Sequence, residues 1–142
     1  ENYEIFKKYP STLEINIEET KLLVLKNMDG KNYALGSNGK YIYFENEQNE
    51  LPYIFGNFKN EDFFRFKKII DQSTFDYSEI KNLFFFPSGR FDIETKNGVL
   101  ILLPRERVKE SLELSVELLR NDLSSKISII DNRQSNLVII NE

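Results

Sequence analysis

Apolar and polar residues trade places along this chain with two different periods. From Leu13 to Glu18 they alternate strictly, with Leu13, Ile15 and Ile17 set against Glu14, Asn16 and Glu18. That is the two-residue period of a half-buried strand. A shorter strand, NYEIF, stands before it, ahead of the Tyr9–Pro10–Ser11 turn. A meander follows in KLLVLKN, KNYALG and KYIYF. Its separators, Asp29–Gly30 and Asn38–Gly39, tolerate positive φ and favour tight hairpins.

The period then changes. In NEDFFRFKKIIDQ, Phe63, Phe66, Ile69 and Ile70 recur at helical spacing, Asn60 is placed to cap, and Glu61 and Asp62 suit the positive end of a helix. The pattern predicts an amphipathic helix over residues 60–72. Arg65, Lys67 and Lys68 fall on its solvent side, so the aromatics of FFRFKK read as core rather than as a platform for stacked bases. A second helix is predicted in RERVKESLELSVELLRND. Val108, Ser111, Leu112, Ser115, Val116 and Leu119 line one stripe of it, and the two small serines let it lie close to a sheet.

Between the helices, GRFDIETKNGVLILLP reads as two strands around Asn97–Gly98. A two-residue turn pairs Lys96 with Val99 and Ile93 with Leu102. Phe91, Ile93, Leu100 and Leu102 then share one apolar face, while Asp92 and Glu94 share the other with Val99, Ile101 and Leu103. KISIIDNR and NLVIIN are the closing strands. The class is α+β: a largely antiparallel sheet with two main helices packed on one side.

Composition narrows the chemistry. The 142 residues amount to about one domain together with a fragment of a second, and the net charge of −4 argues against duplex nucleic acid as the main partner. No run of about 18 apolar residues is present to span a membrane. The chain opens in mid-pattern at Glu1, as a piece of something longer would. With neither His nor Cys, the commonest general base, the thiol nucleophile and the commonest transition-metal ligands are missing. What remains is acid placement. Asp92 and Glu94 project from one strand face and define the rival reading, a carboxylate-based sugar- or metal-binding domain or hydrolase. Glu18–Glu19, Asp71 with Asp76, and PSGR form no better site. No catalytic constellation emerges, and neither a cofactor nor a metal is called for.

Four segments, in order and over nearly the whole chain, resemble the bacterial cell-division family FtsQ/DivIB. YPSTLEINIEE resembles the end of that family's POTRA domain, and LPYIFG the segment before the first helix of its β domain. GRFDIETKNGVLILLP is similar to its strand–turn–strand ending in Leu–Pro, with Phe91 where the family usually has Trp. IIDNRQSNLVII resembles its closing strands. The resemblance implies that residues 1–20 are the last strands of a truncated POTRA-like domain and residues 21–142 an FtsQ-type β domain. It also implies a parent protein with a single pass through the inner membrane and its bulk in the periplasm. Such a protein is a non-enzymatic divisome scaffold that binds FtsB/FtsL-type proteins by a strand added beside its last strand.

On this reading the partner-binding residues are Arg133, Gln134, Ser135, Asn136, Leu137, Val138, Ile139 and Ile140, with Arg90 as a second candidate for a partner carboxylate. The residues alone leave two readings of the apolar NLVII run. Either the strand is covered within the fold, or its edge is open to a partner or to a second copy of itself. Pro at Ile139 is expected to remove a ladder donor from an open edge.

Overall fold

The patterned segments assemble into one sheet. A computed structural model describes residues 19–45, 49–121, 126–134 and 139–141. Its strands are β1 (Leu22–Met28), β2 (Lys31–Gly36), β3 (Tyr41–Tyr43), β4 (Tyr53–Phe55), β5 (Ile80–Phe85), β6 (Phe91–Thr95), β7 (Leu100–Leu102), β8 (Ile129–Asp131) and β9 (Ile139–Asn141). Its helices are α1 (Asn60–Gln72) and α2 (Val108–Leu119). The strands predicted before residue 19, and with them all of the POTRA-like segment except Glu19 and Thr20, lie outside the described residues.

The sheet order is β3-β2-β1-β4-β5-β6-β7-β8-β9. Pairings β1–β4, β4–β5 and β7–β8 are parallel, and the rest are antiparallel. The sheet is thus mostly antiparallel, as expected, and the parallel pairs explain where the helices sit. Each helix is the crossover of a βαβ unit, β4–α1–β5 and β7–α2–β8. The four strands run the same way and both crossovers step in the same direction along the sheet. Right-handed crossovers then put both helices on one face.

That face is the core. A row of side chains runs across the strands from Ile54 through Leu83, Ile93 and Ile101 to Ile130, each 2% exposed or less. Onto it α1 lays Phe63, Phe66 and Ile70, and α2 lays Leu112. The Phe66 and Phe91 rings stack at 4.1 Å, so Phe91 anchors β6 beneath the first helix. The residue expected to cap α1 does something else. The cap is Lys59, whose backbone N–H donates to Asp62 Oδ2 at 3.0 Å. Asn60 instead accepts from the Tyr41 hydroxyl (2.9 Å) and donates to the Gly39 carbonyl (3.3 Å), tying the helix start to the β2–β3 turn.

The turns set the registers, and one expected register is corrected. Met28 pairs with Lys31 across Asp29 (φ 55°) and Gly30 (φ 81°), the positive-φ pair of a two-residue type I′ hairpin. Asn97–Gly98 behaves differently. Thr95 pairs with Val99 through the Thr95 N–H, the Gly98 N–H donates to the Thr95 carbonyl, and Gly98 sits at φ 87°. The loop is therefore Lys96–Asn97–Gly98, a type I turn closed by a left-handed glycine. Ile93 faces Ile101, not Leu102. This one-residue slip exchanges the faces of β7. Ile101, Val99 and Leu103 join Phe91 and Ile93 in the core, while Leu100 and Leu102 move to the open face beside Asp92 and Glu94.

Gly56, at the end of LPYIFG, is also dictated by geometry. Its φ is 114°, and a Cβ there would overlap the Phe85 carbonyl oxygen on the neighbouring strand.

Candidate functional site

The segment IIDNR sorts its side chains by strand alternation. Ile130 and Asn132 point to the helix face, while Asp131 and Arg133 point to the open one. Asp131 and Arg133 therefore meet. Arg133 Nε donates to Asp131 Oδ1 (2.9 Å), Nη2 donates to Oδ2 (2.7 Å), and the Arg133 backbone N–H reaches Oδ1 at 3.0 Å. This is a bidentate fork, the strong geometry for a guanidinium on a carboxylate. Chiefly through the hydrogen bonds from Arg133, it holds the Asp131 carboxyl below its ordinary 3.8.

A second pair lies on the same face. Arg90 Nη1 donates to Asp92 Oδ1 (2.9 Å) and to the Leu103 carbonyl (3.2 Å), with the guanidinium 4.8 Å from the centre of the Phe86 ring. Asp92 also accepts from the Leu103 N–H at 3.3 Å. Its side chain is buried, and burial pushes its carboxyl above 3.8 despite the opposing pull of Arg90 and the Leu103 N–H. Asp92, Leu102 and Asp131 occupy one transverse row, so the two aspartate backbones stand about 10 Å apart, two strand spacings.

The two carboxyls thus respond to acid with opposite signs. Asp131, lowered by its partner, contributes stability that is present above the ordinary carboxylate value and is lost as pH falls through its folded pKa. Asp92, raised by burial, favours the fold below the ordinary value, and that contribution is lost as pH rises through its folded pKa. A carboxyl-carbon NMR titration is expected to place the Asp92 midpoint above 3.8 and the Asp131 midpoint below it. The reverse order would contradict this assignment of partners.

Asp92 and Glu94 do not form an acid–base pair. Asp92 is engaged by Arg90, and Glu94 accepts from Asn82 Nδ2 at 2.8 Å. Among the described residues no group of three or more acidic side chains is placed to hold a metal ion. The open face as a whole is mixed. Phe55, Phe84, Leu100, Leu102, Ile129 and Ile139 surround these charges, and the Phe55 and Phe84 rings stack at 5.5 Å.

The outermost strand on this side is β9, which pairs with β8 on its inner flank, Ile129 with Asn141, Ile130 with Ile140 and Asp131 with Ile139. β8 gives the Ser128 carbonyl and the Asn132 N–H to β7. Alternation then turns the Asp131 and Ile139 backbones toward each other and leaves the Ile140 N–H and C=O on the outer side. The outward donor is therefore Ile140's and not Ile139's. Both side chains are well exposed, Ile139 at 41% and Ile140 at 40%.

Of the residues expected to bind a partner, Arg133, Gln134, Ile139 and Ile140 gather at this edge, and Gln134 is exposed. Ser135, Asn136, Leu137 and Val138 lie outside the described residues. Arg90 sits further in, only 18% exposed and held by Asp92. Asn132 is buried and bonded to α2, which no residue pattern signalled, since an Asn between charged residues reads as surface.

Fold and site together define a class: an α+β domain whose notable feature is a sheet edge beside the Asp131–Arg133 fork, with a second arginine–carboxylate pair further in on the same face. The family model described as "Cell division protein FtsQ/DivIB, C-terminal" matches residues 24–133, and the chain belongs to that family. It is a cell-division protein. The match ends at Arg133, ahead of β9. No curated protein matches the chain. Among the described residues no helix is long and apolar enough to cross a membrane.

Proposed function

We propose that this domain is a non-enzymatic docking scaffold of the divisome that binds FtsB/FtsL-type proteins by strand addition beside β9. In this reading residues 21–142 form the β domain and residues 1–20 end a POTRA-like domain. The parent protein is anchored by a single pass in the inner membrane, with this region in the periplasm. The observation that carries the proposal is the outer flank of β9, where the Ile140 backbone faces outward beside two half-exposed isoleucines. Such an edge is what a partner strand uses for its ladder.

Arg133 supplies the charged contact. Its fork on Asp131 uses Nε and Nη2, and Nη1 has no hydrogen-bond partner among the described residues. A partner carboxylate can join without displacing Asp131, whereas Arg90 is too enclosed to reach as far. A few ladder hydrogen bonds at roughly 0.5–1.5 kcal/mol each give modest affinity. Anchoring both proteins in one membrane raises the effective concentration enough for that to suffice.

The test is calorimetric titration with a synthetic peptide covering the periplasmic segment of the FtsB-type protein from the same genome. Arg133→Glu is expected to weaken binding about tenfold at low salt and clearly less at high salt, because an exposed charge contact is screened. Absence of binding by the unsubstituted domain sinks the proposal. A salt-independent loss removes Arg133 from the contact. Concentration-dependent mass without peptide would show the edge pairing with itself.

A further inference from the structure

Behind the docking edge lies a buried polar chain. Asn132 follows β8 and is 3% exposed, and its backbone N–H extends the β7–β8 ladder to the Leu102 carbonyl. Its side chain turns under α2, where Nδ2 donates to Ser115 Oγ at 2.9 Å. Ser115, fully buried, donates in turn to the Ser111 carbonyl one helical turn back, at 2.8 Å. Asn132 Oδ1 is buried with no hydrogen-bond partner among the described residues. Inside the core the primary amide is thus held by one side-chain hydrogen bond, with its other end unsatisfied. A buried amide in that state carries the desolvation cost of its unmet acceptor and depends on the hydrogen bond that remains.

Its neighbours in sequence are the two halves of the fork, Asp131 and Arg133. Adjacent side chains in an extended segment point to opposite faces, so an Asn132 held down on α2 fixes Asp131 and Arg133 on the open face. We propose that Ser115 and Asn132 are positioning residues for the docking edge: the hydrogen bond between them keeps Asn132 under α2 and so presents Arg133 on the partner side. The proposal deepens the docking function and rests on it for its biological meaning. Its geometry is testable in the free domain.

The decisive variant is Ser115→Ala, a change on α2 rather than in β9 or the Asp131–Arg133 fork. It leaves the Asn132 amide with neither end paired, and expulsion of that amide drags the flanking residues with it. The expected readout by NMR is a rise of the Asp131 midpoint toward the ordinary carboxylate value and a shift of the Arg133 Nε–H signal, with signals from α1 unchanged. A folded Ser115→Ala domain whose Asp131 and Arg133 match the parent overturns the proposal.

The second variant, Ser115→Ala combined with Asn132→Leu, has no amide to expel and buries an apolar side chain of similar shape in its place. Replacing both partners in this way is close to neutral for folding. It is expected to fold with the fork restored, including where Ser115→Ala alone does not fold. A double variant that fails to fold, or folds with the fork lost, assigns the effect to packing around residue 115 and overturns the proposal. None of these readouts involves a partner. A domain that shows them all but binds no FtsB-type peptide counts against the docking function alone.

Discussion

Ile140→Pro is expected to reduce partner binding by about a hundredfold while the domain stays folded. Strand addition on β9 needs the outward Ile140 N–H as a ladder donor. Proline removes it and sets the ring against the incoming backbone. Loss of one hydrogen bond in the middle of a short ladder, with the steric term added, amounts to roughly 2–3 kcal/mol of binding, which is about 30- to 150-fold. The fold is spared because alternation leaves that N–H unused inside the sheet. Ile139→Pro is the informative contrast. It strikes the β8–β9 pairing opposite Asp131, so its damage appears first in the domain itself. Peptide titration and thermal melts on both variants check this, and equal affinity for Ile140→Pro and the parent rules out strand addition at β9.

The second large effect lies far from the edge. Gly56→Ala is expected to destabilise the domain by about 3–5 kcal/mol, a fall of roughly 10–20 °C in the melting temperature. At φ 114° the backbone occupies a region that residues with a Cβ rarely adopt, and the added methyl meets the Phe85 carbonyl rather than a flexible side chain. Neither strain relaxes by a rotamer change. Relief requires β4 and β5 to move apart at Phe55–Phe84, which loosens the row from Ile54 to Leu83. A melting temperature within a few degrees of the parent would show that the loop can re-form around the substitution.

Much of this architecture was legible in the residues, and the failures have physical causes. The helix over 60–72 was visible because Phe63, Phe66 and Ile70 recur at a spacing only a helix brings to one side. Asp29–Gly30 specified its hairpin because both residues must adopt positive φ. Asn97–Gly98 misled because the same dipeptide serves a two-residue or a three-residue loop, and the choice is made by Thr95, whose hydroxyl accepts from the Val99 N–H at 3.0 Å. The parallel pairs were invisible because alternation reports which faces are covered, never which way a neighbouring strand runs.

At the candidate site, the edge strand and Arg133 could be found from the apolar NLVII run and the charge beside it. The enclosure of Arg90 could not, because it depends on the Leu103 carbonyl and the Phe86 ring arriving from other strands. Ser115 was read as small. Its hydroxyl accepts a hydrogen bond from Asn132, 17 positions away.

The length of the sheet carries a consequence for assembly. Neighbouring strands twist by roughly 20–25° in a fixed hand, so the eight steps from β3 to β9 accumulate to about half a revolution. The two borders of the domain therefore lie at opposite ends of a propeller, their outer flanks turned well apart. A chain zipped onto β9 continues that rotation by one more blade, and its heading is set by the whole of the sheet rather than by the last few residues it touches.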